Sequence, residues 1–262
     1  MKLKGPIGIF DSGVGGTSIW RAIEAQMPLE HTLYLADSKN APYGKKSKEA
    51  ILALCIKNTE LLIDQGAKII VVACNTATTN AIDYLRSNYE LPFIGIEPAI
   101  KPAALQTKTK SVGILATQGT LSSALFAKTS ETFAKDVEVI EVIGTGLVEL
   151  IESDQIESPE MESLLTQYLA PMKAANIDHL VLGCSHYPYL IPKIKTLLSK
   201  EVKIIDSGEA VARQTERILE QHALSYAHEK SSHQFYTNSD PKVISKILAD
   251  HPAPKSISYK DF

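Results

Sequence analysis

Twice in this chain an apolar run rich in branched residues ends on a cysteine followed at once by two polar residues: Val71-Val72-Ala73-Cys74-Asn75-Thr76 and Val181-Leu182-Gly183-Cys184-Ser185-His186. Two thiols placed alike suit paired proton transfer. With an ordinary pKa of about 8.5, a cysteine can both give and take a proton near neutrality. One thiolate can remove a proton from carbon while a thiol on the opposite face delivers another, which inverts the carbon centre. Cys184 with a nearby histidine also meets the nucleophile-and-base requirement of a cysteine-dependent amidohydrolase. That second reading leaves Cys74 without a task.

The residues around the thiols set the rest of the chemistry. His186 stands two positions after Cys184, so on an extended backbone both side chains share one face and the imidazole can tune the thiol. Zinc is not expected, because no second Cys/His pair has ligand spacing and the two cysteines lie in separate halves. Cys55 lies inside the helical apolar stretch Ala50-Ile51-Leu52-Ala53-Leu54-Cys55-Ile56 and reads as core. The turn Asp11-Ser12-Gly13-Val14-Gly15-Gly16 fails as a dinucleotide fingerprint, since Ser18 stands where the third glycine belongs. It reads instead as a strand-to-helix nest whose N–H groups are free to hold a carboxylate while Asp11 points into a cleft. The four arginines, Arg21, Arg86, Arg213 and Arg217, fall outside these motifs. An acidic substrate would then be held by backbone N–H groups and by Ser12, Asn75, Thr76, Thr117, Thr120 and Ser185.

Something must bring both cysteines to one place. Short apolar runs at 7–10, 32–35, 69–73 and 93–96 alternate with helical segments, a rhythm that implies a parallel sheet, and it restarts with strands at 112–116, 137–142, 179–182 and 203–205. The fold class expected is α/β: two similar domains, each a mainly parallel sheet flanked by helices. Glu97-Pro98 and Asp206-Ser207-Gly208 mark the crossings. The first domain is expected at 1–97 plus 207–262 and the second at 98–206. The tail supplies a helix at 209–222, a strand at 233–237 and a short helix at 241–249. Ligands bind beyond the carboxyl ends of such strands, where both thiols fall.

Composition narrows the partners. The 262 residues carry a net charge of −3 with a pI near 6.2, and Lys and Arg form no dense block, which argues against nucleic acid or an anionic membrane. The basic start, Met1 to Pro6, precedes an apolar stretch too short for a signal-peptide core, and no segment is long enough to span a bilayer. An odd count of three cysteines without scaffold spacing points to reduced thiols in a cytoplasm.

With these residues in hand, the chain resembles the glutamate racemases of the cofactor-independent aspartate/glutamate racemase superfamily. The resemblance rests on Gly8-Ile9-Phe10-Asp11-Ser12-Gly13-Val14-Gly15-Gly16, Pro42-Tyr43-Gly44, Ala73-Cys74-Asn75-Thr76-Ala77, Gly95-Ile96-Glu97-Pro98, Gly183-Cys184-Ser185-His186-Tyr187-Pro188 and Asp206-Ser207-Gly208, in the family's order. It implies that Cys74 and Cys184 are the acid/base pair, Cys184 acting on L-glutamate and Cys74 on the D-form. Asp11 and His186 assist them, and Glu152 matches a carboxylate beside the histidine. Substrate contacts are implied at Asp11-Ser12, Tyr43-Gly44, Asn75-Thr76 and Ser185-His186. The resemblance further implies a site between the domains, no pyridoxal phosphate or other cofactor, D-glutamate supply for peptidoglycan, and a homodimer among the assemblies allowed. An aspartate-directed racemase of the same superfamily is the nearest alternative. Two positions depart from the usual pattern: Ser185 replaces threonine, and Glu152 is approached through Ile143-Gly144-Thr145-Gly146-Leu147.

Overall fold

The computed structural model describes residues 5–225 and 229–262. Two wholly parallel sheets organise it. The first holds β1 (Ile7–Asp11), β2 (Thr32–Ala36), β3 (Ile69–Val72) and β4 (Phe93–Gly95); the second holds β5 (Ser111–Ala116), β6 (Glu138–Ile143), β7 (His179–Gly183) and β8 (Lys203–Ile205). The chain then returns to the first sheet with β9 (His233–Thr237) and β10 (Lys255–Tyr259), so the strand orders are β10-β9-β2-β1-β3-β4 and β6-β5-β7-β8.

The fold class read from the sequence is the one observed, and every strand expected is present within a residue or two at its ends. The addition is β10, which pairs β9 in parallel from Lys255 opposite His233 to Tyr259 opposite Thr237.

Alternation along the strands explains how both faces of each sheet are covered. Ile7, Ile9, Ile69 and Val71 face Trp20, Ile23, Val211 and Leu219 of helices Thr17–Gln26 and Gly208–Gln221. Phe10, Ile70 and Val72 face Ile51, Cys55, Ala81 and Leu85 of helices Lys48–Asp64 and Asn75–Asn88. In the second sheet Leu180 and Leu182 meet Met161, Leu165 and Met172 of helix Pro159–Ala174, while Val112, Ile114 and Val181 meet Ile100 and Phe126 on the other side. Trp20 and Met161 belong to one continuous cluster, which also holds Val14, Val148, Ile151 and Tyr187. One apolar core therefore runs through both halves, and burial at about 25 cal/mol per Å² holds them together as it holds each sheet.

Candidate active site

Both thiols emerge just past the carboxyl ends of central strands, two residues after β3 and one after β7. Cys74 is also the N-cap of helix Asn75–Asn88: its Sγ accepts from Ala77 N–H at 3.4 Å and donates to Ser12 Oγ at 3.6 Å. Cys184 Sγ lies 3.8 Å from His186 Nδ1. The two cysteines line one narrow cavity, together with Ser12, Pro42, Tyr43, Gly44, Asn75, Thr76, Thr117, Val148, Ser185 and His186. A wider hollow adjoins it past Pro42, Gly44, Thr117 and Val148, and its lining includes an ion pair that joins the halves, Lys45 Nζ to Glu149 Oε1.

Behind the cavity runs a string of polar groups. His186 Nε2 is 2.6 Å from Glu152 Oε1, which also accepts from Val14 N–H at 2.6 Å, while Ser38 Oγ donates to Glu152 Oε2 at 2.7 Å. Asp11 accepts from Ser185 Oγ at 2.9 Å and from Gly13 N–H at 3.0 Å. The nest reading of the glycine turn needs correction here. Its Val14 N–H is not free for a ligand; it holds the chain's own Glu152 carboxylate. The glycines are required by that approach: a Cβ on Gly13 would stand 1.9 Å from Glu152 Oε1, and one on Gly15 2.2 Å from His186 Nδ1.

The electrostatics follow from burial. Asp11 is fully enclosed, and desolvation raises its pKa against the opposing pull of His186 and the Gly16 and Ser185 hydrogen bonds. Burial likewise pushes the Cys74 thiol well up, helped by the Asp11 charge, so the protonated sulfur is its resting form. For His186 burial works downward, but hydrogen bonds to Cys184 and Glu152 and the charges of Asp11 and Glu152 outweigh it, leaving the pKa well above the ordinary histidine value. An imidazolium so placed donates Nε2–H to Glu152 and points Nδ1–H toward Cys184.

Most residues singled out from the sequence converge on this spot, in different layers. Cys74, Cys184, Ser12, Gly44, Asn75, Thr76, Thr117, Ser185 and His186 line the cavity, whereas Asp11 and Glu152 lie behind it. Thr120 is not among the lining residues: it is fully buried, with Oγ1 at 3.0 Å from Thr117 and 3.5 Å from Thr76. Tyr43 reaches the cavity, but its hydroxyl is committed to Asp37 and to Asn58 Nδ2. Asn75 differs from all of them. Its side-chain Oδ1 and Nδ2 are buried and have no partner among the described residues, which costs free energy unless something enters to meet them. Three residues went unassigned from sequence, Ser38, Pro42 and Val148. Pro42 stood inside a quoted motif, and Val148 is one helical turn before Glu152, so both carried a signal.

A sequence model of the Asp/Glu/Hydantoin racemase family matches residues 15–215. The chain belongs to that family. Among curated relatives it is 46% identical over 244 residues to a glutamate racemase of Ectopseudomonas mendocina, covering 93% of each chain. Among solved structures it is similar to Escherichia coli glutamate racemase in complex with L-glutamate and the activator UDP-MurNAc-ala, at a TM-score of 0.87, 30% identity and 98% coverage of both chains. It is also similar to Francisella tularensis glutamate racemase in complex with D-glutamate, at a TM-score of 0.82, 28% identity and 97% coverage of both. Family membership makes the enzyme class that of an isomerase, and it favours the racemase reading over the amidohydrolase one.

Proposed function

We propose that this chain is a glutamate racemase, interconverting L-glutamate and D-glutamate by direct proton transfer between the substrate α-carbon and two cysteines. The observation that carries the reading is the pair of thiols in one buried cavity beside the Asn75 amide, which is unpartnered among the described residues. The Asn75, Thr76, Thr117 and Ser12 side chains and the Ser185 backbone N–H supply donors for the substrate's carboxylates, the Ser185 hydroxyl being committed to Asp11, with Tyr43 and Gly44 closing one wall. For L-glutamate, Cys184 as thiolate takes the α-proton while the Cys74 thiol gives one to the opposite face; the reverse direction exchanges these roles. His186, held by Glu152, accepts or returns a proton at Cys184. Asp11, next to Ser185 and Ser12, sets the charge near Cys74.

On the same reading the site lies between an α/β domain of residues 1–97 plus 207–262 and a second of 98–206. Selectivity falls on glutamate over aspartate, because a shorter side chain would leave a buried polar group unpaired. A cytoplasmic enzyme that supplies D-glutamate for peptidoglycan completes the proposal, with a homodimer among the assemblies it allows. Three free, buried thiols support the reducing compartment, and among the described residues no helix is long and apolar enough to cross a membrane. Circular dichroism with each glutamate enantiomer and no added cofactor tests the activity: the signal decays to zero from both sides if the reading holds. Unchanged signal with glutamate, or equal turnover of aspartate in competition, refutes it; sedimentation velocity tests the dimer.

A further inference from the structure

Glu152 is held on its two oxygens by different means, and the difference gives Ser38 a task. Oε1 takes both the His186 Nε2 contact and the Val14 N–H bond, whereas Oε2 takes the Ser38 hydroxyl. A carboxylate anchored through one oxygen alone can still pivot about that oxygen as the side-chain torsions adjust together, the last of them being broad. A donor on the second oxygen stops the turn. Ser38 is itself well fixed, because the residue before it is tied down on every side: Asp37 N–H donates to Asp11 O at 3.1 Å, and Asp37 Oδ1 accepts from Asn40 at 2.7 Å and from Asn238 at 2.6 Å. On the other flank Lys39 N–H donates to Asn238 Oδ1 at 2.9 Å.

The donors also come from different parts of the fold. Ser38 and Val14 follow strands of the first sheet, while Glu152 and His186 lie in the segment that carries the second. We infer that Ser38 is a positioning residue, which locks the Glu152 carboxylate plane against His186 and completes the acid/base string at Cys184 only when the two halves are together. This rests on the racemase reading for its kinetic consequence, not for its geometry.

Ser38→Ala and Ser38→Thr test it, the threonine keeping the hydroxyl. The groups facing His186 are Cys184, Glu152 and Asp11, so NMR titration of its ring, assigned with His186→Asn, reads the string directly. In Ser38→Ala the His186 titration should move to lower pH and kcat should fall about tenfold in both directions with KM within about twofold, as misplacement of a proton-transfer group predicts. Ser38→Thr should restore both. An unmoved His186 titration in Ser38→Ala, or a threonine variant as impaired as the alanine one, overturns the inference. Wild-type protein inert toward glutamate would defeat the racemase reading alone, since the titration still judges Ser38.

Discussion

Ser185 Oγ donates to Asp11 Oδ1 over 2.9 Å, and the two residues stand at the carboxyl ends of β7 and β1, strands of different sheets. The bond ties the loop that carries Cys184 to the strand end beneath Cys74, within a region that excludes water. Removing it leaves Asp11 one partner short. Ser185→Ala should therefore lose about 1–3 kcal/mol of unfolding free energy, the cost of an unmet hydrogen bond to a buried charged group, as read from urea midpoints, and kcat should fall with it. Ser185→Thr should retain most of both, since the hydroxyl survives.

The glycine turn separates two kinds of crowding. At Gly13 an added methyl meets only the end of the Glu152 side chain, which can swing away; at Gly15 it also meets His186 backbone nitrogen at 2.6 Å. Gly13→Ala should fold near normally yet lose about a hundredfold in kcat, because Glu152 no longer reaches His186. Gly15→Ala should lose activity and thermal stability together. Melting temperatures beside kcat values distinguish them.

How far this site was legible in the sequence depends on the distance over which each residue acts. The thiols were legible because buried parallel strands write themselves as β-branched runs, and Cys74 and Cys184 end two of them. Strand β10 was not, since Lys255, Ser256, Ser258 and Tyr259 leave only Ile257 as an apolar residue on an exposed edge. The role of the nest was misread for a deeper reason. Val14 N–H and Ser38 Oγ meet Glu152 only after two sheets dock, and no local pattern encodes a contact between residues 138 positions apart.

Burial also sets how stability responds to alkali. Desolvation raises the pKa of Cys55 and Cys74, and of Tyr34, Tyr43 and Tyr187. In the unfolded chain these groups lose protons at their ordinary values, whereas in the folded chain they keep them. The unfolded state thus binds fewer protons, and stability is full below the ordinary thiol pKa and lost as pH rises past it. Unfolding free energy should fall between about pH 8 and 10.5, approaching 1.4 kcal/mol per pH unit for each such group. Urea titrations across that range check it; a flat dependence contradicts it.

The three cysteines should divide cleanly. Cys74→Ala and Cys184→Ala should both lose racemisation, while Cys55→Ala, a change in the core beside helix Lys48–Asp64, should keep it with a modest loss of stability. In deuterated water, residual exchange should favour L-glutamate in Cys74→Ala and D-glutamate in Cys184→Ala. Near-normal racemisation by either active-site variant would refute the two-thiol assignment.

Isotope placement in the intact enzyme tests the central claim most directly. If Cys74 and Cys184 serve opposite faces of the α-carbon, conversion of L-glutamate in deuterated water should give D-glutamate carrying deuterium at Cα while the remaining L-glutamate stays unlabelled at early times. The D-to-L direction should mirror it. Early deuterium in both enantiomers alike would mean a single base serving both faces, and would contradict the account.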